Sequence, residues 1–151
     1  MPHDYYSTSA LGTPSPRKLS TLLSEGTKNL VDAMEQNGVK RLVCVTILGT
    51  GASGRRHGSL FYMLFVLGFF VRPMLEDKER QEEVIRRSSL DWTIVRPPRY
   101  TDEPASGDYR VIADGGGRIG KIGRADPAGF VLDQVDDPSP SSVRKAVAVG
   151  Y

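Results

Sequence analysis

A glycine-rich segment near the middle of the chain, Gly49-Thr50-Gly51-Ala52-Ser53-Gly54, has the spacing G-x-G-x-x-G. Glycines at this spacing let the backbone approach a diphosphate, which the N–H groups at the start of the following helix then bind. The segment follows a predicted strand, and Arg55, Arg56 and His57 behind it would add positive charge. The pattern is therefore compatible with dinucleotide binding at this turn.

Two features of the neighbouring sequence favour a different interpretation of these glycines. The helix expected behind them begins with a basic, polar stretch and then becomes apolar throughout. The next strand ends at Arg96-Pro97 and not at an acidic residue for the ribose hydroxyls, although an arginine there could bind a 2′-phosphate. Because a glycine pattern is weak evidence alone, we interpret the segment as a loop over a ligand site.

A charged helix followed by a buried strand is the clearest architectural signal in the chain. Leu90-Asp91-Trp92-Thr93-Ile94-Val95-Arg96 reads as a strand that stops at Pro97-Pro98. The preceding helix pairs acids with arginines four positions later, mostly on a solvated face, at Glu76–Arg80, Glu82–Arg86 and Glu83–Arg87. A helix that leads into a buried strand is typical of parallel α/β sheets, which hold ligands at the carboxyl ends of their strands.

The remaining hydrophobic patterns extend this unit to an α/β protein with a mostly parallel sheet, flanking helices and a small β-hairpin. Ser20 or Thr21 can cap the first helix, and Gly38 fits its left-handed stop. Predicted strands cover residues 4–11, 41–48, 91–95 and 143–149, the hairpin covers 109–113 and 118–124, and helices cover 21–37, 73–87 and 125–134.

Composition indicates one ordinary globular domain over residues 1–151, with 39% hydrophobic and 25% charged residues. A net charge of +2 gives no reason to expect a nucleic acid partner. The single cysteine, Cys44, is expected to be a buried thiol, and His3 and His57 have no partner at metal-ligand spacing. The N-terminus has no signal-peptide pattern, so we expect a cytoplasmic protein.

The most apolar segment, residues 60–71, is too short for a membrane span, which needs roughly 20 residues. We expect a helix packed on the sheet or closing a substrate pocket, with contact to a partner or a membrane surface as the alternative. Membrane contact is the less favoured of these interpretations.

Three segments together resemble an atypical short-chain dehydrogenase/reductase of the NAD(P)H-binding type, the group of NmrA-like proteins and biliverdin-IXβ/flavin reductases. They are Ser24-Glu25-Gly26-Thr27-Lys28-Asn29-Leu30-Val31-Asp32-Ala33-Met34, Gly38-Val39-Lys40-Arg41-Leu42-Val43 and residues 89–98. The resemblance implies a partial Rossmann-like fold, in which Ala10-Leu11-Gly12-Thr13 ends the family's fourth strand. It also implies that the first three strands and the phosphate loop are absent, with residues 1–19 an edge or poorly ordered segment.

The resemblance also implies the positions of a nicotinamide site. It assigns Thr46 and Lys78 as catalytic residues that also contact the cofactor, with further cofactor contacts at Leu11, Gly12, Ile47, Pro97, Pro98 and Arg99. Ile47 stands where the flavin reductases carry a serine, and Met74 stands where related dehydrogenases carry a tyrosine. Surface or strand-end roles without a ligand remain equal alternatives for Lys78 and Thr46, and a structural role is favoured for Arg96.

The leading hypothesis is a truncated or degenerate reductase-like domain that binds NADP or NAD weakly. Its ancestor would have reduced a small planar acceptor such as a flavin or quinone. The alternative is a non-enzymatic interaction module that pairs with a second copy through its exposed sheet edge. A fragment of a longer protein is a third interpretation, and the sequence does not identify the substrate.

Overall fold

The computed structural model describes residues 5–15, 17–49, 72–113, 119–137 and 141–151. Most of the glycine motif after Gly49, the apolar segment 60–71 and the predicted turn at residues 114–117 lie outside the described residues. The elements follow the predicted order with one additional strand. They are β1 Tyr6–Ser9, α1 Leu22–Gln36, β2 Arg41–Val45, α2 Arg72–Arg87, β3 Asp91–Arg96, β4 Arg99–Thr101, β5 Arg110–Ala113, β6 Lys121–Gly123, α3 Ala125–Asp136 and β7 Lys145–Gly150.

The main sheet has five strands in the order β1-β2-β3-β7-β5. The first four strands in that order are parallel, and β5 is antiparallel to β7. The prediction of an α/β fold with a mostly parallel sheet is confirmed. Within the described part of the chain, the predicted first strand, β1, lies at the edge of the sheet beside β2.

The predicted hairpin is wrong. β5 pairs with β7, while β6 pairs in parallel with β4, so the two short strands belong to different sheets. Local sequence favoured pairing between neighbours, but the free edge of β7 and the strand β4 offer each short strand a backbone partner elsewhere. Strand β4 lies in a stretch for which no strand or helix is predicted.

The two faces of the main sheet are covered by different helices, and the strands are apolar on both sides for this reason. Leu42 and Cys44 of β2 pack with side chains of α1 and α2, whereas Val43 packs with Phe130 and Val131 of α3. Successive residues of a strand point to opposite faces, so a continuous apolar run is what a doubly covered strand requires. Cys44 is a free, buried thiol as predicted.

The boundaries of α1 follow the predicted signals. The Ser20 hydroxyl accepts a hydrogen bond from the Leu22 N–H at 3.0 Å, while Thr21 makes no side-chain cap. Gly38 has a φ of 71°, the left-handed conformation expected just after the helix. Among the described residues, no helix is long and apolar enough to cross a membrane.

Candidate functional site

The carboxyl ends of β1, β2 and β3 meet at one edge of the parallel sheet. Ser9, Cys44 and Ile94 stand side by side in register. Beyond the ladder, the Thr46 N–H donates to the Val95 carbonyl at 2.8 Å, and the Leu48 N–H donates to the Pro97 carbonyl at 2.9 Å. The segments that follow β2 and β3 therefore remain side by side beyond the ends of the two strands.

Lys78 joins this edge from helix α2. Its Nζ donates to the Leu11 carbonyl at 2.9 Å, and the side chain is 6% exposed. Burial lowers the pKa of Lys78 from its ordinary value, and the thiol of Cys44 with the carboxylates of Glu82 and Asp77 acts in the opposite direction. Lys78 is thus not a solvated surface lysine, which was one of the two interpretations left open.

The second group at this edge is a buried cluster of Thr46, Glu82 and Arg96. The Thr46 hydroxyl donates to Glu82 Oε1 at 2.8 Å. Arg96 also donates to that oxygen, through Nε at 3.0 Å, and its NH2 group donates to Glu82 Oε2. All three residues are at most 6% exposed. A guanidinium engaged in this way by a carboxylate fits the structural role favoured for Arg96.

Glu82 is the residue that sequence reasoning missed, because it was assigned with its neighbours to a solvated face. Its predicted partner, Arg86, lies 4.0 Å away and is the lesser contact. The missing signal was helical spacing: Lys78, Gln81, Glu82 and Ile85 share one face of α2, and all are buried. Of the other predicted pairs, Glu83–Arg87 forms, whereas Glu76 pairs with Arg72.

The other predicted cofactor contacts differ in burial. Leu11 and Gly12 follow β1 and are exposed, and Ile47 follows Thr46 and is half-buried. Pro97 and Pro98 are buried, and Pro98 packs beside Gly150 of β7, where a side chain would collide with Ile119. Arg99 is exposed and starts β4, opposite Lys121 in the small second sheet.

A cavity of about 480 Å³ opens beside the strand ends, on the face of the sheet covered by α3. It begins at Ala10 and Val45, the residues just before Leu11 and Thr46. Its polar side includes Tyr100 and Arg124, whose guanidinium carbon lies 5.2 Å from the centre of the Tyr100 ring. Residues of α3 complete a mostly apolar wall, Pro127, Ala128, Val131 and Leu132.

Cys44 lies in the core next to the site, and its thiol is expected to be unreactive. Burial raises the pKa of the Cys44 thiol to about 11, despite the opposing charge of Lys78. A thiol that stays protonated at neutral pH is a poor nucleophile. Among the described residues, no group of three or more His, Cys, Asp or Glu side chains is arranged to hold a metal ion.

This fold, with lysine, hydroxyl and backbone groups at the carboxyl ends of parallel strands, is that of a Rossmann-like nucleotide-binding domain. Residues 6–138 match the family described as NAD(P)H-binding. The chain belongs to this NAD(P)H-binding family.

Solved structures of known proteins share this fold. A short-chain dehydrogenase/reductase from Veillonella parvula, solved in complex with NADP, superposes with a TM-score of 0.74 at 18% identity, over 87% of this chain and 60% of that one. An anaerobillin reductase from Escherichia coli, ChuY, gives a TM-score of 0.73 at 22% identity, over 95% of this chain and 62% of that one. These likenesses show the fold.

An uncharacterized chloroplastic protein from Arabidopsis thaliana is similar in sequence, with 35% identity over 85 residues. That match covers 55% of this chain and 29% of the plant protein. The chain therefore spans less than a third of this curated relative and about three fifths of the solved structures it resembles.

Proposed function

We propose that the chain binds the nicotinamide end of NADPH or NADH at the carboxyl ends of β1, β2 and β3, and reduces a small planar acceptor such as a flavin or quinone. The observation that carries the proposal is the convergence of Lys78 and Thr46 on adjacent strand ends from a helix and a strand. Family membership supplies the class of cofactor.

The donor set at this edge fits such a cofactor. A lysine ammonium has three N–H donors. The Leu11 carbonyl receives one of them within the described part of the chain, so the group has further capacity toward ribose hydroxyls. Leu11, Gly12, Ile47 and Pro97 follow the ends of these strands in the chain, and Pro98 and Arg99 stay proposed cofactor contacts by resemblance.

Hydride transfer is chemistry that the bound cofactor supplies, so the chain's own residues position and polarise. Lys78 would hold the ribose and raise the local electrostatic potential, and Thr46 would contact the nicotinamide. Met74 lies on the first turn of α2, where a proton-donating tyrosine would be expected by resemblance. Solvent is then the proton source for the reduced acceptor, which suits flavins and quinones because they exchange protons readily.

The cavity beside the strand ends supports an acceptor of this kind. Its volume of about 480 Å³ lies within the range of small-molecule sites, and its walls are mostly apolar. Arg124, which lies over the Tyr100 ring and pairs with Asp102 at 3.1 Å, makes one side of the cavity polar. Ala10 and Val45, which line the cavity, come directly before Leu11 and Thr46 in the chain.

Titration calorimetry of the full chain with NADPH and with NADH tests the binding step. Binding that is lost in Lys78→Met and retained in Lys28→Met would support the proposal, because Lys28 is an exposed lysine on α1. The acceptor step is tested by the loss of reduced-nicotinamide absorbance with FMN or menadione. No heat of binding with either nucleotide would overturn the proposal.

The exposed edge of the sheet favours a second candidate, an interaction module that pairs with another copy of this chain. β1 has β2 as its partner on one side, and the edge carries Tyr5 at 74% and Tyr6 at 54% exposure. Unpaired backbone groups on an edge strand are a template for another strand. Sedimentation that shows a monomer at high concentration would contradict this candidate, and a dimer abolished by Ser7→Pro would support it.

A further inference from the structure

The hydroxyl of Thr46 has a fixed hydrogen-bond polarity. Its partner, Glu82 Oε1, lies at 2.8 Å and belongs to a carboxylate, which can only accept. A threonine hydroxyl has one proton, and that proton is therefore directed at Glu82. Toward a ligand, the Thr46 oxygen can therefore only accept a hydrogen bond, through its lone pairs.

Glu82 is held in place by a second element. Arg96, at the end of β3, donates to both carboxylate oxygens, and the two side chains are 5% and 6% exposed. Arginine keeps its charge at all accessible pH values, so it cannot release the carboxylate by losing a proton. The orientation of the Thr46 proton is thus set by an ion pair between α2 and β3.

We propose that Thr46 recognises an N–H donor, the amide group of the nicotinamide carboxamide, and that Glu82 and Arg96 are the positioning residues that make it an acceptor. This inference rests on the proposed function. It assigns Thr46 a role in orienting the ring, and it excludes donation of the Thr46 proton to the acceptor while the hydroxyl contacts Glu82.

The test compares binding of NADPH with binding of its reduced acetylpyridine analogue, in which a methyl group replaces the amide NH₂ and the carbonyl oxygen is kept. We expect Thr46→Val to weaken NADPH binding by roughly five- to tenfold, the effect of one lost hydrogen bond, and to change binding of the analogue less than about twofold. Thr93→Val is the matched control, because Thr93 is a buried strand threonine whose hydroxyl bonds to the Ser142 carbonyl.

An equal loss for the two nucleotides would overturn the inference and leave the proposed function standing, because donation to the retained carbonyl oxygen would affect both. Failure of the wild-type chain to bind either nucleotide would overturn the proposed function and the inference with it.

The variant Glu82→Gln provides a second test of the roles proposed for Thr46 and Glu82. The glutamine amide can donate to Thr46, which frees the Thr46 proton, so we expect this variant to discriminate less between NADPH and the analogue than the wild type does. An unchanged ratio in a folded Glu82→Gln protein would overturn the role of Glu82. If this variant does not fold, the Thr46→Val comparison still decides the polarity of Thr46.

Discussion

Asp77 of helix α2 caps the amino end of helix α1: its Oδ2 accepts the Leu23 N–H at 2.9 Å. Its Oδ1 accepts the Ser24 N–H at 3.3 Å and the Ser24 hydroxyl at 2.5 Å. The carboxylate is buried, and it replaces the cap that Thr21 does not provide. Because Lys78 is the next residue, the same contact fixes the position of α2 relative to the candidate site.

Removal of this cap should destabilise the fold. We expect Asp77→Ala to lower the free energy of unfolding by about 1–3 kcal/mol, since it leaves buried N–H groups at the helix start without an acceptor. Urea unfolding followed by circular dichroism measures the change. Glu79→Ala, on the exposed side of α2, is the control. A loss no larger than that of the control would contradict the capping role.

The Glu82–Arg96 pair should show the asymmetry expected of a buried ion pair. We expect Arg96→Met alone to cost about 3–5 kcal/mol, because it leaves the Glu82 carboxylate buried without its cation. The double change Glu82→Leu with Arg96→Met should recover most of that loss. Chemical denaturation of the two variants provides the measurement, and a double variant as unstable as the single one would refute the expectation.

Lys78 should matter for nucleotide binding beyond its part in the fold. We expect Lys78→Met to weaken NADPH binding by roughly 10-fold or more, the effect of losing charged hydrogen bonds. Lys28→Met should leave binding unchanged, because Lys28 pairs with Asp32 on the exposed face of α1. Calorimetric titration at fixed ionic strength compares the two. Equal affinities would assign Lys78 to the fold alone.

Asp126 should make the fold sensitive to acid. Hydrogen bonds from the Tyr151 hydroxyl and from the N–H groups of Gly107 and Ser106 hold the pKa of Asp126 below its ordinary value of 3.8. On acidification the unfolded chain takes up this proton first. The stability contributed by the carboxylate is therefore fully present above pH 3.8 and is lost as the pH falls through the lower, folded-state pKa.

The pH dependence of unfolding tests this expectation. Asp126→Asn should be less stable than the wild type near neutral pH, and its stability should fall less steeply as the pH drops below 3.8. Asp136→Asn, an exposed change at the end of α3, should keep the wild-type slope. Parallel acid profiles for Asp126→Asn and the wild type would show that Asp126 does not contribute.

The sequence predicted the elements that depend on local pattern. The run Leu42-Val43-Cys44 indicated a strand covered on both faces, Gly38 indicated the left-handed end of α1, and Pro97 marked the end of β3. These features follow from side-chain periodicity and backbone conformation, which neighbouring residues determine. The sequence could not predict the partners of β5 and β6, since strand pairing joins residues far apart in the chain.

The candidate site likewise combines features that the sequence predicted with features that depend on the tertiary structure. By itself the sequence placed Thr46 at the end of a strand and Lys78 within the following charged helix, and a family resemblance implied a nicotinamide site there. Only the tertiary structure decided that Lys78 bonds to a carbonyl 67 residues away and that Glu82 turns from solvent to Arg96. The physical reason is that a charged residue is buried only when the fold supplies hydrogen-bond partners or a counter-charge, and for Lys78 and Glu82 these lie on other parts of the chain.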